Sequence, residues 1–121
     1  MVKYVDGFVF SVPRKNFSKY KKMCAEGSKV WRRLGALEYK ECIADDMKPS
    51  FVTFTFPKMA KTKKNEAVWF SFIVFKSKKH RDQVNKKVMA YFDKKYAGKN
   101  MPMPFDMKRF AYGGFKVVVG S

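Results

Sequence analysis

The feature that most constrains this chain is a nine-residue run near its middle, Ala67 to Phe75, with the sequence AVWFSFIVF. A strand with one face in water alternates apolar and polar side chains, but here both alternating sets are apolar apart from Ser71. The run therefore predicts a central strand that is covered on both faces, and the fold must supply both covers.

The first half of the chain predicts a strand, a helix and a second strand. Residues 3–12 alternate as a strand that Pro13 ends. Apolar residues then recur at steps of three and four over 17–34, which predicts a helix capped by Asn16 and ended by Gly35. Residues 37–44 alternate again as the second strand.

The second half predicts one uncertain strand, a helix and a last strand. Residues 51–56 alternate as a short strand between two prolines, and a Lys-rich loop follows them. After the central strand, Ser77 is a helix cap and Gly98 marks the end of that helix. Residues 108–119 predict the last strand, in which Gly113-Gly114 indicates a bulge or a close backbone approach.

The order β-α-β-(β)-β-α-β is that of a ferredoxin-like α+β sandwich, and 121 residues fit a single domain over 1–121. Two helices cover only one face of a four-stranded sheet, while the central strand is apolar on both. A second copy is the simplest cover for the other face, so the pattern predicts a homodimer in which two sheets form a dimeric α/β barrel.

Cysteine and histidine usage narrows the chemistry. Two cysteines, Cys24 and Cys42, and one histidine, His80, provide no spacing typical of a zinc site, so we expect no metal. There is no Gly-rich phosphate loop, so we expect no nucleotide cofactor. No run is long enough to span a bilayer and Asp6 interrupts the N-terminal apolar stretch, so we expect a cytoplasmic protein without membrane insertion.

Several short segments resemble the YbaA-like family of small bacterial proteins of unknown function. They are Tyr4-Val5-Asp6-Gly7-Phe8, Gly35-Ala36-Leu37, Glu41-Cys42, Met103-Pro104-Phe105-Asp106, Lys108-Arg109 and Tyr112-Gly113-Gly114-Phe115. The resemblance spans nearly the whole chain and implies the dimeric α/β-barrel fold, but it implies no activity. The strong positive charge of this chain departs from the family.

Charge is the strongest compositional signal: 27 Lys and Arg against 10 Asp and Glu give a formal net charge of +17. Such a charge favours binding to RNA or another polyanion through Lys-rich helix faces, with Lys78, Lys79, Lys86 and Lys87 as the candidates. We expect nearly all aromatic residues to face the core, whereas a single-strand binder exposes them for stacking. The pattern therefore favours a solvated surface, with weak, salt-sensitive RNA binding as the alternative.

Polar residues in apolar strands are the second signal, because a buried charge is costly unless it is paired. They predict a small-ligand pocket between sheet and helices, lined by Tyr4, Asp6, Glu41, Trp69, Arg109 and Tyr112. Asp6 or Glu41 would be an acid/base group and Arg109 an anion clamp, with Asp6 close to Arg109 or Tyr112. The alternative interpretation is a structural ion pair at a strand end or dimer seam.

Cofactor-independent enzymes also use the dimeric α/β barrel, so catalysis in the same pocket is a further alternative. Fold alone does not decide between an enzyme and a binding protein. The sequence identifies neither a ligand nor a reaction.

Overall fold

The computed structural model describes residues 3–99 and 102–120. These residues contain four strands and three helices, in the order β1 (Tyr4–Pro13), α1 (Phe17–Arg33), β2 (Glu38–Ile43), α2 (Phe56–Met59), β3 (Glu66–Phe75), α3 (Lys78–Lys95) and β4 (Ala111–Lys116). Short 3-10 turns precede α1 and β4, at Arg14–Asn16 and Met107–Arg109.

The strands form one antiparallel sheet in the order β2-β3-β1-β4. The predicted central strand is indeed central, since β3 pairs with β1 along all ten residues of each and with β2 on its other side. The two long helices, α1 and α3, pack on the same face of this sheet. This arrangement is the predicted ferredoxin-like α+β fold.

The face beneath the two helices, the covered face, contains the hydrophobic core. One cluster joins Val30 of α1 and Val84 and Val88 of α3 to Ile73 and Phe75 of β3. A second cluster lies towards the other end of the sheet and joins side chains of α1, β1 and β3 to the segment before β4. Its buried residues are Tyr20, Cys24, Phe10, Val12, Trp69 and Phe105.

The opposite face of the sheet, the open face, carries neither of the two long helices. Over β1, β3 and β4 its side chains are uncharged apart from Glu66, which pairs with Arg109, and the large ones include Phe70, Phe72 and Phe115. On the edge strand β2 the same face carries Glu38 and Lys40. About half or more of Phe70 and of Phe115 is exposed to solvent. Within the described residues, the two long helices supply one of the two covers that β3 is predicted to need.

Two local predictions are wrong. Asn16 precedes α1, but its side chain makes no cap and donates instead to the carbonyl of Pro104 at 2.8 Å. Residues 51–56 form turns rather than a strand, because the side chain of Thr55 accepts a hydrogen bond from the backbone of Lys58 and begins the one-turn helix α2.

The last strand is shorter than the predicted span of 108–119. Asp106 accepts a hydrogen bond from the backbone of Lys108 and so begins the 3-10 turn that replaces the first residues of the span. Gly113 and Gly114 pair in regular register with β1, so there is no bulge. The close approach is confirmed, because a Cβ on Gly114 would lie 2.4 Å from the hydroxyl of Tyr4.

No helix among residues 3–99 and 102–120 is both long enough and apolar enough to cross a bilayer.

Candidate functional site

Asp6 lies on the covered face of β1, where 1% of it is exposed. Its Oδ1 accepts a hydrogen bond from Nη1 of Arg81 at 3.3 Å, and its Oδ2 accepts one from Nδ2 of Asn85 at 3.4 Å. Arg81 and Asn85 are four residues apart on α3, so both lie on the side of the helix that faces the sheet. Burial raises the pKa of the Asp6 carboxyl, and the charge of Arg81 and the hydrogen bond from Asn85 oppose this shift without cancelling it.

Arg81 is the centre of this group. Its Nη1 also donates to the hydroxyl of Tyr112 at 2.5 Å, and its guanidinium lies 5.0 Å from the centre of the Tyr4 ring. Its Nε is 3.0 Å from a carboxylate oxygen of Asp82, but the angle does not form a hydrogen bond. Burial alone would lower the pKa of Arg81, yet the negative charge of Asp6 and its neighbours raises it. Burial therefore shifts the pKa of Asp6, the more deeply buried of the pair, while the guanidinium of Arg81 stays charged.

Sequence analysis did not identify Arg81 or Asn85 as candidate residues. Both lie at helical spacing with the buried Val84 and Val88, and Oδ1 of Asn85 also accepts a hydrogen bond from the indole of Trp31 at 3.0 Å. Polar residues within the apolar stripe of a predicted helix were the signal that would have found them. The resulting group, the Asp6 network, consists of Asp6, Arg81, Asn85 and Tyr112.

Glu41 forms a second polar group on the same face, at the edge strand β2. Its Oε1 accepts hydrogen bonds from the hydroxyl of Tyr20 on α1, at 3.0 Å, and from Ser71, its partner on β3. Its Oε2 accepts one from the hydroxyl of Tyr39 at 2.7 Å. This Glu41 network, Glu41 with Tyr20, Tyr39 and Ser71, balances a carboxylate with neutral donors.

The donors of the Glu41 network stay protonated. Burial raises the pKa of the Tyr20 and Tyr39 hydroxyls, and the negative charge of Glu41 raises it further. The same two causes raise the pKa of the nearby Cys24 thiol to about 12. Cys24 is therefore a buried, unreactive thiol, as its place on the apolar side of the helix predicts.

Arg109 lies apart from both networks. It forms a bidentate ion pair with Glu66, at 2.7 and 2.8 Å, and its Nε donates to Asp106 at 3.1 Å. Its Nη1, which donates to Glu66, also donates to the carbonyl of Lys61 at 3.0 Å. Arg109 thus holds the loop before β3 against the turn before β4. The predicted contact between Asp6 and Arg109 is wrong, whereas the predicted proximity of Asp6 to Tyr112 is confirmed.

The six residues predicted to line one pocket are divided among three places: Tyr4, Asp6 and Tyr112 around Arg81; Glu41 and Trp69 around Tyr20; and Arg109 at its ion pairs. Side chains fill the space between sheet and helices at each of them. Tyr4 and Trp69 line open clefts, and the two clefts differ.

The larger cleft has a volume of about 570 Å³ and opens where β1 and β4 meet the start of α3. Tyr4 forms one wall, and its hydroxyl lies over the bare backbone of Gly114. Two lysines come from the first turn of α3, and the third pairs with Tyr4 across the sheet. The cleft is lined by Tyr4, Ser77, Lys78, Lys79, Gly114 and Lys116.

The second cleft, of about 200 Å³, lies at the other end of the sheet and has Trp69 and Phe17 in its wall. Within residues 3–99 and 102–120, no three side chains of His, Cys, Asp or Glu gather as a metal ion would require. Two of the four lysines predicted to bind polyanions, Lys86 and Lys87, lie about two turns beyond the larger cleft on α3.

Comparison with solved structures supports the fold. The chain matches a structure described as a dimeric ferredoxin-like protein from an uncultured marine organism, with a TM-score of 0.55, 13% identity and complete coverage of both chains. At this level of identity the likeness concerns the fold alone.

Comparison with known sequences identifies relatives. The chain is 41% identical over 118 residues to the uncharacterized protein YbaA of Escherichia coli K12, covering 98% of each chain, and equally to that of Shigella flexneri. The family model described as "Protein of unknown function (DUF1428)" matches residues 3–107. The resemblance read from the sequence is thereby confirmed, and the chain belongs to the DUF1428 family of proteins of unknown function.

Proposed function

We propose that this protein is a homodimer, joined through its open sheet faces, and that each subunit binds a small anionic ligand in the cleft lined by Tyr4 and three lysines. The observation that carries the ligand proposal is the cleft itself. A volume of about 570 Å³ falls within the range of small-molecule sites, and its polar groups converge from β1, β4 and α3.

The charges of the cleft determine the class of ligand. Lys78, Lys79 and Lys116 supply three cations, and Ser77 and the hydroxyl of Tyr4 add neutral hydrogen-bonding groups. No carboxylate is among the lining residues, so the positive potential is not neutralised within the cleft. The positive end of the α3 dipole adds to that potential. A phosphate- or carboxylate-bearing metabolite fits this set of groups.

Binding rather than catalysis follows from the position of the two buried carboxylates. A general base must reach the proton it removes within a hydrogen bond or through one water. Neither Asp6 nor Glu41 lines the cleft, and each already accepts hydrogen bonds from its own network. Neither carboxylate can therefore act as the base of a cofactor-independent reaction in the cleft, and we do not propose such a reaction.

The dimer proposal depends on the open face. Half-exposed phenylalanines on a largely apolar sheet face, with charged residues only at its margins, are unusual on a monomer and typical of an interface. The matched solved structure is described as dimeric, which agrees with a pairing of this kind. Joining two such faces would close the dimeric α/β barrel and bury both sides of β3.

Inorganic pyrophosphate is a suitable probe for the cleft, with binding followed by amide chemical shifts. The triple substitution Lys78→Gln, Lys79→Gln and Lys116→Gln should weaken binding by about tenfold or more, which is the loss of roughly one charge-assisted contact. The matched control is Lys86→Gln, Lys87→Gln and Lys94→Gln, which removes the same charge from the same helix outside the cleft. If both triple variants bind pyrophosphate as the unchanged protein does, the cleft is not an anion site.

A second candidate function is binding of RNA or another polyanion, which the net charge of +17 favours. In that case the lysines along α3 act together through counterion release, and both triple variants should lose affinity for single-stranded RNA equally. A loss confined to the cleft variant supports the small-ligand proposal instead.

A further inference from the structure

Three phenylalanines between β2 and β3 lie outside the core. Phe51, Phe54 and Phe56 are 88%, 69% and 51% exposed, and Val52 and Met59 beside them are exposed as well. These residues contradict the expectation that nearly all aromatic side chains face the core. We refer to residues 51–59 as the aromatic arm.

The aromatic arm has a defined conformation. The Nζ of Lys58 donates to the carbonyl of Thr53 at 2.8 Å, and the backbone N–H of Met59 donates to the carbonyl of Thr55 at 3.0 Å. The backbone of Thr62 closes the turn by donating to the carbonyl of Pro57 at 2.9 Å. The backbone of the arm is therefore fixed by hydrogen bonds, while its three rings stay half exposed or more.

The base of the aromatic arm lies on the open face. Ser11 points to that face from the end of β1, and its hydroxyl donates to the carbonyl of Ala60 at 3.3 Å. The same hydroxyl shares a hydrogen bond with Thr62 at 2.8 Å. Residues 60–62 follow the aromatic arm directly and are thus anchored at the edge of the open face, so the arm ends beside that edge.

The area of the open face, compared with the area that a stable interface buries, indicates which kind of partner covers the aromatic arm. Strands of ten, six, ten and six residues, at a rise of about 3.3 Å and a spacing of about 4.8 Å, give the sheet face about 500 Å². A stable interface buries about 800 Å² on each partner. The exposed parts of Phe51, Phe54 and Phe56 add about 400 Å², at roughly 200 Å² a ring, and so make up the difference.

We infer that the aromatic arm packs against a second copy of this chain and extends the interface between the two open faces. This inference rests on the proposed dimer and names the element that completes it. By the two-fold symmetry of a closed pair, each arm covers the partner while the partner's arm covers it in return.

Sedimentation velocity over a range of concentrations tests the inference. The double substitution Phe51→Ser and Phe54→Ser should raise the dimer Kd by about tenfold or more, because buried aromatic anchors dominate interface energy. Both rings are exposed in the single chain, so the variant should keep the wild-type circular dichroism. Met89→Ser, which removes an exposed apolar side chain from α3, is the control and should leave the Kd unchanged.

Phe70→Glu separates failure of the arm from failure of the dimer, since it places a charge in the middle of the open face. If Phe70→Glu dissociates the dimer and the arm variant does not, the dimer stands and the arm inference is wrong. If the unchanged protein is monomeric at every concentration, both proposals fail.

Photo-crosslinking identifies the occupant directly. With benzoylphenylalanine in place of Phe51, a mixture of isotope-labelled and unlabelled chains should give crosslinks between the two chains, to peptides of the open face or of the other arm. Crosslinks confined to single chains would overturn the inference. Loss of binding of the arm variant to phosphatidylserine vesicles, with dimerisation unaltered, would also overturn it and would make the arm a membrane-surface element.

Discussion

The two carboxylates beneath the helices occupy the same face of the sheet but are stabilised in different ways. Asp6 is on a central strand, is almost fully buried and depends on the cation of Arg81. Glu41 is on the edge strand, and three hydroxyl groups from three different elements donate to it. In the described part of the chain no lysine or arginine forms an ion pair with Glu41.

The difference shows how the cost of a buried charge can be shared. In the Asp6 network one partner carries most of the compensation, so its loss leaves a charge stranded in a desolvated site. In the Glu41 network each of the three donors provides part of the compensation for burying the carboxylate, and Glu41 retains some contact with solvent. We therefore expect the Asp6 network to be the more sensitive of the two to a single substitution.

The largest effect should follow from Arg81→Met, which keeps the length of the side chain and removes its charge. Asp6 would then be an unpaired buried carboxylate, so the free energy of unfolding at neutral pH should fall by about 3 kcal/mol. Urea denaturation followed by circular dichroism measures this. Lys86→Met, the same chemical change at an exposed position of α3, should alter stability by less than about 0.5 kcal/mol.

Substitution of the other partner sharpens this test. Asp6→Asn leaves Arg81 charged but still in contact with Tyr112 and with solvent, so its loss should be smaller than that of Arg81→Met. The double variant should recover part of the loss, because it removes both charges together. If Arg81→Met is no worse than Lys86→Met, Arg81 does not stabilise Asp6.

A smaller effect should follow from Glu41→Gln. No cation is stranded by this change, and the amide oxygen still accepts from one of the hydroxyls, so we expect a loss of about 1–2 kcal/mol from weakened charge-assisted bonds. Glu38→Gln is the matched control, since Glu38 is an exposed residue of the same strand. A loss of unfolding free energy as large as that of Arg81→Met would contradict the idea that the three donors stabilise Glu41 jointly.

Much of this arrangement could be predicted from the sequence. Alternation along β1 and β2 was sufficient to place Asp6 and Glu41 on one face, because side chains of a strand point to opposite faces in turn. The cation partner could not be predicted in the same way. Arg81 is 75 residues from Asp6 in the chain, and only the packing of α3 on the sheet decides which of its many basic residues turns inward.

The structure of the aromatic arm was predicted wrongly for a different reason. The alternation of residues 51–56 is that of a half-buried strand, yet Thr55 begins a helical turn and the rings have no cover in their own chain. The periodicity of a sequence shows which face of an element is apolar, but it does not show whether the residues that bury this face belong to the same chain. The cleft was missed because Lys78 and Lys79 were assigned to the exposed face of a helix, whereas Lys116, on β4, was not identified as a candidate.

The smallest effect we expect is a difference in pH dependence between Asp6 and the exposed Asp106. Burial raises the folded-state pKa of Asp6 above its ordinary value of 3.8, so its stabilising contribution is present below that pH and is lost as the pH rises through the raised pKa. Backbone and Arg109 hydrogen bonds lower the pKa of Asp106, so its contribution is present above 3.8 and is lost as the pH falls. Thermal melts between about pH 3 and pH 7 should therefore show the advantage of the unchanged protein over Asp6→Asn shrinking with rising pH, and its advantage over Asp106→Asn growing. Trends of the same sign for both variants would mean that Arg81 outweighs the desolvation of Asp6, and the contrast between the Asp6 network and an ordinary surface ion pair would disappear.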